Sequence, residues 1–144
     1  MANPFLVLGG IAVGVVTAAF GILQVPGWVS SAQDASAKND ISQVSILQSA
    51  SLSQVGIAQT SIDPSQAVDN KGAKVDLGVD VSTGASDSQI ELTRTADKKH
   101  YAVVVESESG KAFSRVDGGE IKEHADITTA KNAASQALAA LDPA

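Results

Sequence analysis

The sequence predicts an α+β fold, in which a long kinked N-terminal helix packs on a small antiparallel sheet of three to four strands, with a C-terminal helix. Three observations support this fold. The first 55 residues join an uncharged apolar run to a helical repeat of apolar side chains. Residues 74–116 contain short runs that are typical of strands. Residues 126–141 return to a helical spacing.

The first element is the run Phe5–Val25, which holds no charged residue and one strongly polar side chain, Gln24. As a helix it would be about 30 Å long, which matches the hydrocarbon core of a bilayer. Residues 1–28 are therefore predicted to be an apolar transmembrane or filament-core segment. The side chains expected in that core are Phe5, Leu6, Val7, Leu8, Ile11, Val13, Val15, Val16, Phe20, Ile22, Leu23 and Val25.

Three interpretations of this segment compete. A cleaved secretory signal should begin with basic residues, whereas this chain begins MANP, and the apolar run exceeds the usual length of about 7–15 residues. A plain membrane anchor would hold an outer domain through a single span. In the third interpretation, the helix leaves the membrane and becomes the core of a polymer.

Residues 29–55 are predicted to form the amphipathic half of the same helix. Apolar residues recur at helical spacing, although Gln48 sits inside the stripe. The stripe comprises Ala37, Ile41, Val44, Leu52 and Val55. Asp34 is expected to support a new N-terminal turn, and Asp40 to lie on the polar face. Two separate helices joined at Pro26 remain the alternative.

Glycine and proline mark a weak point between the two halves. Each helical glycine costs about 1 kcal/mol relative to alanine, and proline removes a backbone donor. The residues expected to kink or melt the helix are Gly14, Gly21, Pro26 and Gly27. Trp28 follows directly, where it would either anchor at a membrane interface or pack against the globular part.

Residues 56–144 are predicted to form a globular head. Residues 56–73 should be a connecting loop with one short helical turn after Asp63. The predicted strands are Lys74–Val81, Gln89–Thr95, His100–Glu106 and Lys111–Val116. A helix is expected over Asp126–Leu141 with Asp126 as its N-cap, and with Ile127, Ala130, Ala134, Leu138 and Leu141 on one face.

Composition and motifs argue against an enzyme. The net charge is −6, aromatic residues make up 3% and cysteine is absent, so a nucleic-acid surface, a disulfide framework and a thiolate metal site are all disfavoured. His100 and His124 lie outside any ligand cluster and are expected to be solvated. No cofactor is expected. Lys98 and Lys99 form a short basic turn that is a candidate for surface contact.

The apolar run that ends at Pro26 and the segment Asp34–Ile41, DASAKNDI, carry a family resemblance. Together they resemble the N-terminal helix of type IV pilins and pseudopilins, particularly the Gram-positive, actinobacterial type. In that family, an apolar helix meets a proline and continues as an amphipathic helix under a globular head. The resemblance covers about the first 55 residues.

This resemblance implies a structural subunit, a pilin, of a type IV pilus-like extracellular filament (a fimbrium). Such a subunit is a homopolymer whose helices bundle in the core and whose heads are exposed. It would reside in the cell membrane before assembly and in a surface filament afterwards. The expected partners are copies of itself, the membrane, the pilus assembly machinery and, through Lys98 and Lys99, DNA or surfaces. Adhesion and DNA uptake are among the roles such filaments serve.

The chain departs from the family in two places. Most type IV pilins carry a glutamate four residues after the mature N-terminus, a position that is Gly9 if the chain starts at Phe5 and Phe5 if it starts at Met1. The family's leader also ends in glycine, whereas Pro4 precedes Phe5 here. Apolar packing alone would then drive assembly. The alternative function is a membrane-anchored extracellular binding domain with a single N-terminal span.

Overall fold

The computed structural model describes residues 25–84 and 89–142 and confirms the α+β arrangement. Four antiparallel strands follow one another in the order β1-β2-β3-β4. The helices and strands are α1 (Val25–Gln54), β1 (Ile90–Arg94), β2 (Tyr101–Glu106), β3 (Ala112–Val116), β4 (Lys122–His124) and α2 (Ile127–Leu141).

The sheet lies between the two helices, as the alternation along β2 shows. Tyr101, Val103 and Val105 belong to the cluster that packs on α1, whereas Ala102 and Val104 pack against α2. All five are buried, because a strand with a helix on each face has no solvent side. The predicted strands at His100–Glu106, Gln89–Thr95 and Lys111–Val116 thus exist, within one or two residues.

The amphipathic stripe of α1 forms the larger core, as predicted. Ile41 and Val44 are fully buried, and Leu52 packs at the margin. Each large apolar side chain buried in this way stabilises the fold by about 1.5–3 kcal/mol. The buried members of the cluster are Ala37, Ile41, Val44, Ala58, Ile90, Tyr101, Val103, Val105 and Phe113.

Two details predicted for α1 are wrong. The described helix passes through Pro26 and Gly27, so Asp34 is the tenth residue of α1 and does not begin a new helix. Asp40 is 1% exposed and does not lie on the solvated polar face, because its Oδ1 accepts a hydrogen bond of 2.8 Å from the Gly84 amide. The burial of Asp40 widens the contact face of α1 beyond its apolar stripe.

Helix α2 begins as predicted. The Asp126 side chain accepts a 2.7 Å hydrogen bond from the Thr129 amide, satisfying a donor that the first turn leaves free. Ala130, Ala134 and Leu138 are buried against the sheet, and the small alanines allow a close approach. Leu141 is 40% exposed, so the buried face ends one turn earlier than the spacing predicts.

The predicted strand Lys74–Val81 is wrong. Within it only Lys74 forms a bridge, an isolated one to Val68, and Gly78 adopts a left-handed φ of +68° that breaks an extended run. Leu77 is nevertheless buried against Leu47. The fourth strand is β4, whose charged sequence gave no signal; it is defined by its pairing with β3.

A polar cluster joins α1 to the loop that follows it. The Gln48 side chain donates to the Gln59 carbonyl (2.9 Å) and accepts from the Gln59 amide (2.8 Å). The Gln59 side chain donates to Ser51 Oγ (2.7 Å) and to the Val68 carbonyl (2.8 Å), and accepts from the Val68 amide (3.0 Å). The loop then makes the predicted short turn, a 3-10 helix at Pro64–Gln66 that Asp63 caps.

Candidate assembly surface

Residues 28–32 of α1 are largely exposed. Trp28 is 53% exposed and Val29 is 44% exposed, so of the two alternatives for Trp28 the structure disfavours packing against the head. The exposed side chains continue the uncharged sequence that precedes Asp34. An uncharged helix surface that exposes Trp28 and Val29 is suited to contact with a membrane interface or with another apolar helix.

Asp34 joins α1 to the turn between β2 and β3. The carboxylate Oδ1 accepts hydrogen bonds from the hydroxyls of Ser107 (2.7 Å) and Ser109 (2.5 Å), both in the turn between β2 and β3. The hydrogen bond from Ser109 is the main cause of a lowered Asp34 pKa; burial opposes it, and the Ser107 bond and nearby Lys111 and Lys38 each lower the pKa by less. This contact fixes the turn one helical turn before the apolar stripe begins.

An acidic cleft lies beside this junction. It encloses about 130 Å³ between α1 and the end of β2 and is lined in part by Asp40, Glu106 and Glu108. Gln33 also lines the cleft, and its amide donates to Glu108 Oε2 across the junction at 3.2 Å. The cleft therefore presents the carboxylates of Glu106 and Glu108 on the side of the head next to Asp34, whereas the Asp40 carboxylate is buried and bonded to the Gly84 amide.

The predicted contact residues Lys98 and Lys99 lie at the other end of the sheet, in the turn between β1 and β2. Lys98 adopts a φ of +63°, and its Nζ lies 3.5 Å from the Asn70 Oδ1. The Lys99 Nζ donates to the Gly56 carbonyl at 2.8 Å. Within residues 25–84 and 89–142, neither ammonium forms a salt bridge with a carboxylate.

Both histidines have side-chain partners that sequence reasoning missed. His100 Nδ1 lies 2.8 Å from Asp117 Oδ2, and His124 Nε2 lies 2.8 Å from Ser114 Oγ. Asp117 also accepts from the Tyr101 amide, so the His100 pair secures the turn after β3 against β2. These partners lie 17 and 10 residues away along the chain, and strand pairing brings them together.

The described residues contain no group of three or more histidine, aspartate or glutamate side chains that is suited to hold a metal ion. The Asp76 carboxylate accepts from the Gly78 amide at 2.9 Å, a local turn contact.

The predicted filament-core residues lie outside the described part of the chain, except for Val25, which opens the described helix. Gly14 and Gly21 also lie outside it, while Pro26 and Gly27 are helical; melting of this stretch in a filament stays a prediction. None of the helices within residues 25–84 and 89–142 is both long and apolar enough to cross a membrane.

Comparison of the chain with protein-family models, with curated proteins and with solved structures finds no match. The pilin resemblance therefore rests on the apolar run, the position of Pro26 and the segment Asp34–Ile41.

Proposed function

We propose that this chain is the structural subunit of a type IV pilus-like extracellular filament. Its apolar N-terminal segments bundle in the filament core, and its heads cover the outside. The subunit is held in the cell membrane before assembly, and the assembly machinery moves it into a surface fibre. It has no catalytic role in this proposal.

The observation that carries the proposal is the course of α1. One continuous helix supplies the apolar stripe of the head and then extends beyond the Asp34 junction as an exposed, uncharged helix that leads into the apolar run. In this proposal, the described part of α1 connects each head to the chain that leads into its core segment. In water, an exported assembly must keep such segments together because their apolar surface is costly to expose.

The first test is electron microscopy of material sheared from the surface of cells that express the chain, with intact-mass measurement of the subunit. Thin filaments built from this chain are the expected result. The mass also determines whether the subunit begins at Met1 or Phe5. A chain found only in the membrane fraction, with no filaments, would favour the membrane-anchored binding domain, and a secreted product that begins near Gln33 would identify a signal peptide.

A substitution within the apolar run tests the core directly. Val13→Asp is expected to abolish filaments because an unpaired carboxylate would be buried among apolar helices. Ser49→Asp is the matched control, since it adds the same charge at an exposed position of α1. Equal filament yields from the two variants would contradict the helix-core arrangement.

A further inference from the structure

The acidic cleft and the Lys98–Lys99 turn occupy opposite ends of the head. The turn precedes β2, and the cleft adjoins the turn that follows it. Six extended residues span about 20 Å, so one head cannot bring the two features into contact with each other. Any direct pairing between them must therefore join two copies of the chain.

The two features differ in shape and in charge. The cleft is concave; Asp40 lies buried within it, and Glu106 and Glu108 lie along its wall. Lys111 and Lys38 act electrostatically on Asp34 beside the cleft, and Lys111 is already paired with Glu123 at 2.7 Å.

The turn, by contrast, projects from the sheet as a tight connection. The Lys98 amide donates to the Thr95 carbonyl, and the left-handed φ of Lys98 reverses the chain. Among the described residues, the ammonium groups of Lys98 and Lys99 donate only to neutral oxygens and form no salt bridge. The charge of Lys99 also acts on the Asp97 carboxylate in the same turn, so the turn keeps a net positive charge for a carboxylate partner.

We propose that the Lys98–Lys99 turn of one copy docks in the acidic cleft of the next copy. This inference rests on the proposed function and adds the contact by which neighbouring heads recognise each other. The interface is heterologous, because it joins two different surfaces of the same chain. A repeated contact of this kind extends into an open helical fibre when its rotation does not close a ring.

Cross-linking tests the contact in the full-length chain. Because the chain has no cysteine, Lys99→Cys and Glu108→Cys together introduce the only two thiols, both at exposed positions. Mild oxidation of sheared filaments is expected to give a ladder of covalent multimers, since each subunit would bond to a neighbour on either side. A disulfide needs Cα atoms within about 7 Å, so a bond within one head is excluded by the length of β2.

Three controls sharpen the result. Each single cysteine variant can give dimers at most. The pair Lys122→Cys with Glu108→Cys moves the first thiol to another exposed lysine and is expected to give no ladder. Filaments that form normally but give no more multimers with Lys99→Cys than with Lys122→Cys would overturn the proposal while leaving the filament itself established.

Charge reversal gives an independent readout. Lys99→Glu and Glu108→Lys are each expected to lower filament yield about two- to fivefold, the range expected for one exposed ion pair. The double variant should recover the yield, whereas Lys122→Glu should leave it unchanged. Failure of the double variant to recover, together with loss of DNA retention by Lys99→Glu filaments, would assign the turn to nucleic acid instead. Absence of filaments from the unmodified chain would overturn the proposed function, and this contact with it.

Discussion

Helix α1 is held on two sides by different kinds of contact. Toward the sheet, Ile41 and Val44 pack in an apolar cluster that includes Phe113. Toward the following loop, Gln48 and Gln59 exchange hydrogen bonds within a buried polar cluster. The difference teaches that one helix can be secured both by non-directional burial and by directional bonding, and that the two sides should respond differently to the same size of substitution.

The buried polar side chains on the loop side of α1 all have hydrogen-bond partners. Gln48, Ser51 and Gln59 are at most 2% exposed, and no buried side-chain polar atom among the described residues lacks a hydrogen-bond partner. A buried donor or acceptor that loses its partner costs about 1–3 kcal/mol. At Gln48, Ser51 and Gln59, the loop side is therefore intolerant of apolar replacement, although Leu47 makes an apolar contact with the same loop. The sheet side requires mainly that its volume be kept.

The largest effect is expected on the sheet side. Phe113→Ala should lower the free energy of unfolding by about 3–5 kcal/mol, because it removes a buried ring and leaves a cavity. Urea unfolding of the detergent-solubilised chain, followed by circular dichroism, measures the change. Ile46→Ala is the control, since Ile46 is 50% exposed on the outer face of α1 and should matter by less than about 0.5 kcal/mol.

Substitutions that keep the side-chain volume should cost different amounts of stability on the two sides of α1. Gln59→Leu is expected to cost about 2–4 kcal/mol, because the Val68 amide and carbonyl and the Ser51 hydroxyl all lose a partner. Ile41→Leu on the sheet side should cost less than about 1.5 kcal/mol. The same urea series compares them, and a smaller cost for Gln59→Leu than for Ile41→Leu would refute the distinction.

Hydrogen exchange shows which part of the fold loses stability in the Gln59→Leu chain. In the Gln59→Leu chain, the Val68 amide should exchange faster, while amides of β2 should keep their protection relative to global unfolding. Uniform acceleration across the sheet would show that the polar cluster and the apolar core form a single cooperative unit.

These two sides were not equally predictable from sequence. The apolar stripe of α1 and three strands follow from periodicity, because burial against a sheet repeats at fixed steps along each element. Gln59 gave no signal, since its partners are backbone groups of a loop whose course only the folded chain defines. The hydrogen bonds of Asp34 and Asp40 are not predictable from sequence for the same reason, because the partners of both residues are 40 or more positions away along the chain.

The wrong strand at Lys74–Val81 has a different cause. Its alternation is real: Val75, Val79 and Val81 pack beside buried Leu77. Alternation indicates which side chains face a core, but a strand also needs a second strand with which to pair. The left-handed φ of Gly78 interrupts the extended backbone that such pairing requires. The candidate contact surfaces differ in the same way. Lys98 and Lys99 can be recognised in the sequence as a cluster of charge, whereas the acidic cleft is formed by residues of elements that are distant in sequence.

The smallest effect expected is a pH dependence on the sheet side. Tyr101 is 2% exposed, and its burial raises the pKa of its hydroxyl above the usual 10.0; the hydrogen bond with Ser45 and the charge of Arg115 oppose this increase, and Asp117 adds to it. The folded state thus favours the protonated phenol, a stabilisation that is complete below pH 10 and is lost as the pH rises through the raised pKa. The loss amounts to about 1.4 kcal/mol for each unit between the folded and unfolded pKa values.

Tyr101→Phe should therefore lose less stability than the unmodified chain above pH 10, in urea unfolding at matched pH. Because Tyr101 is the only tyrosine, tyrosinate absorbance follows its titration directly. Equal alkaline losses in both chains would mean that water reaches the phenol and that the apolar side of α1 is less tightly closed than the polar one.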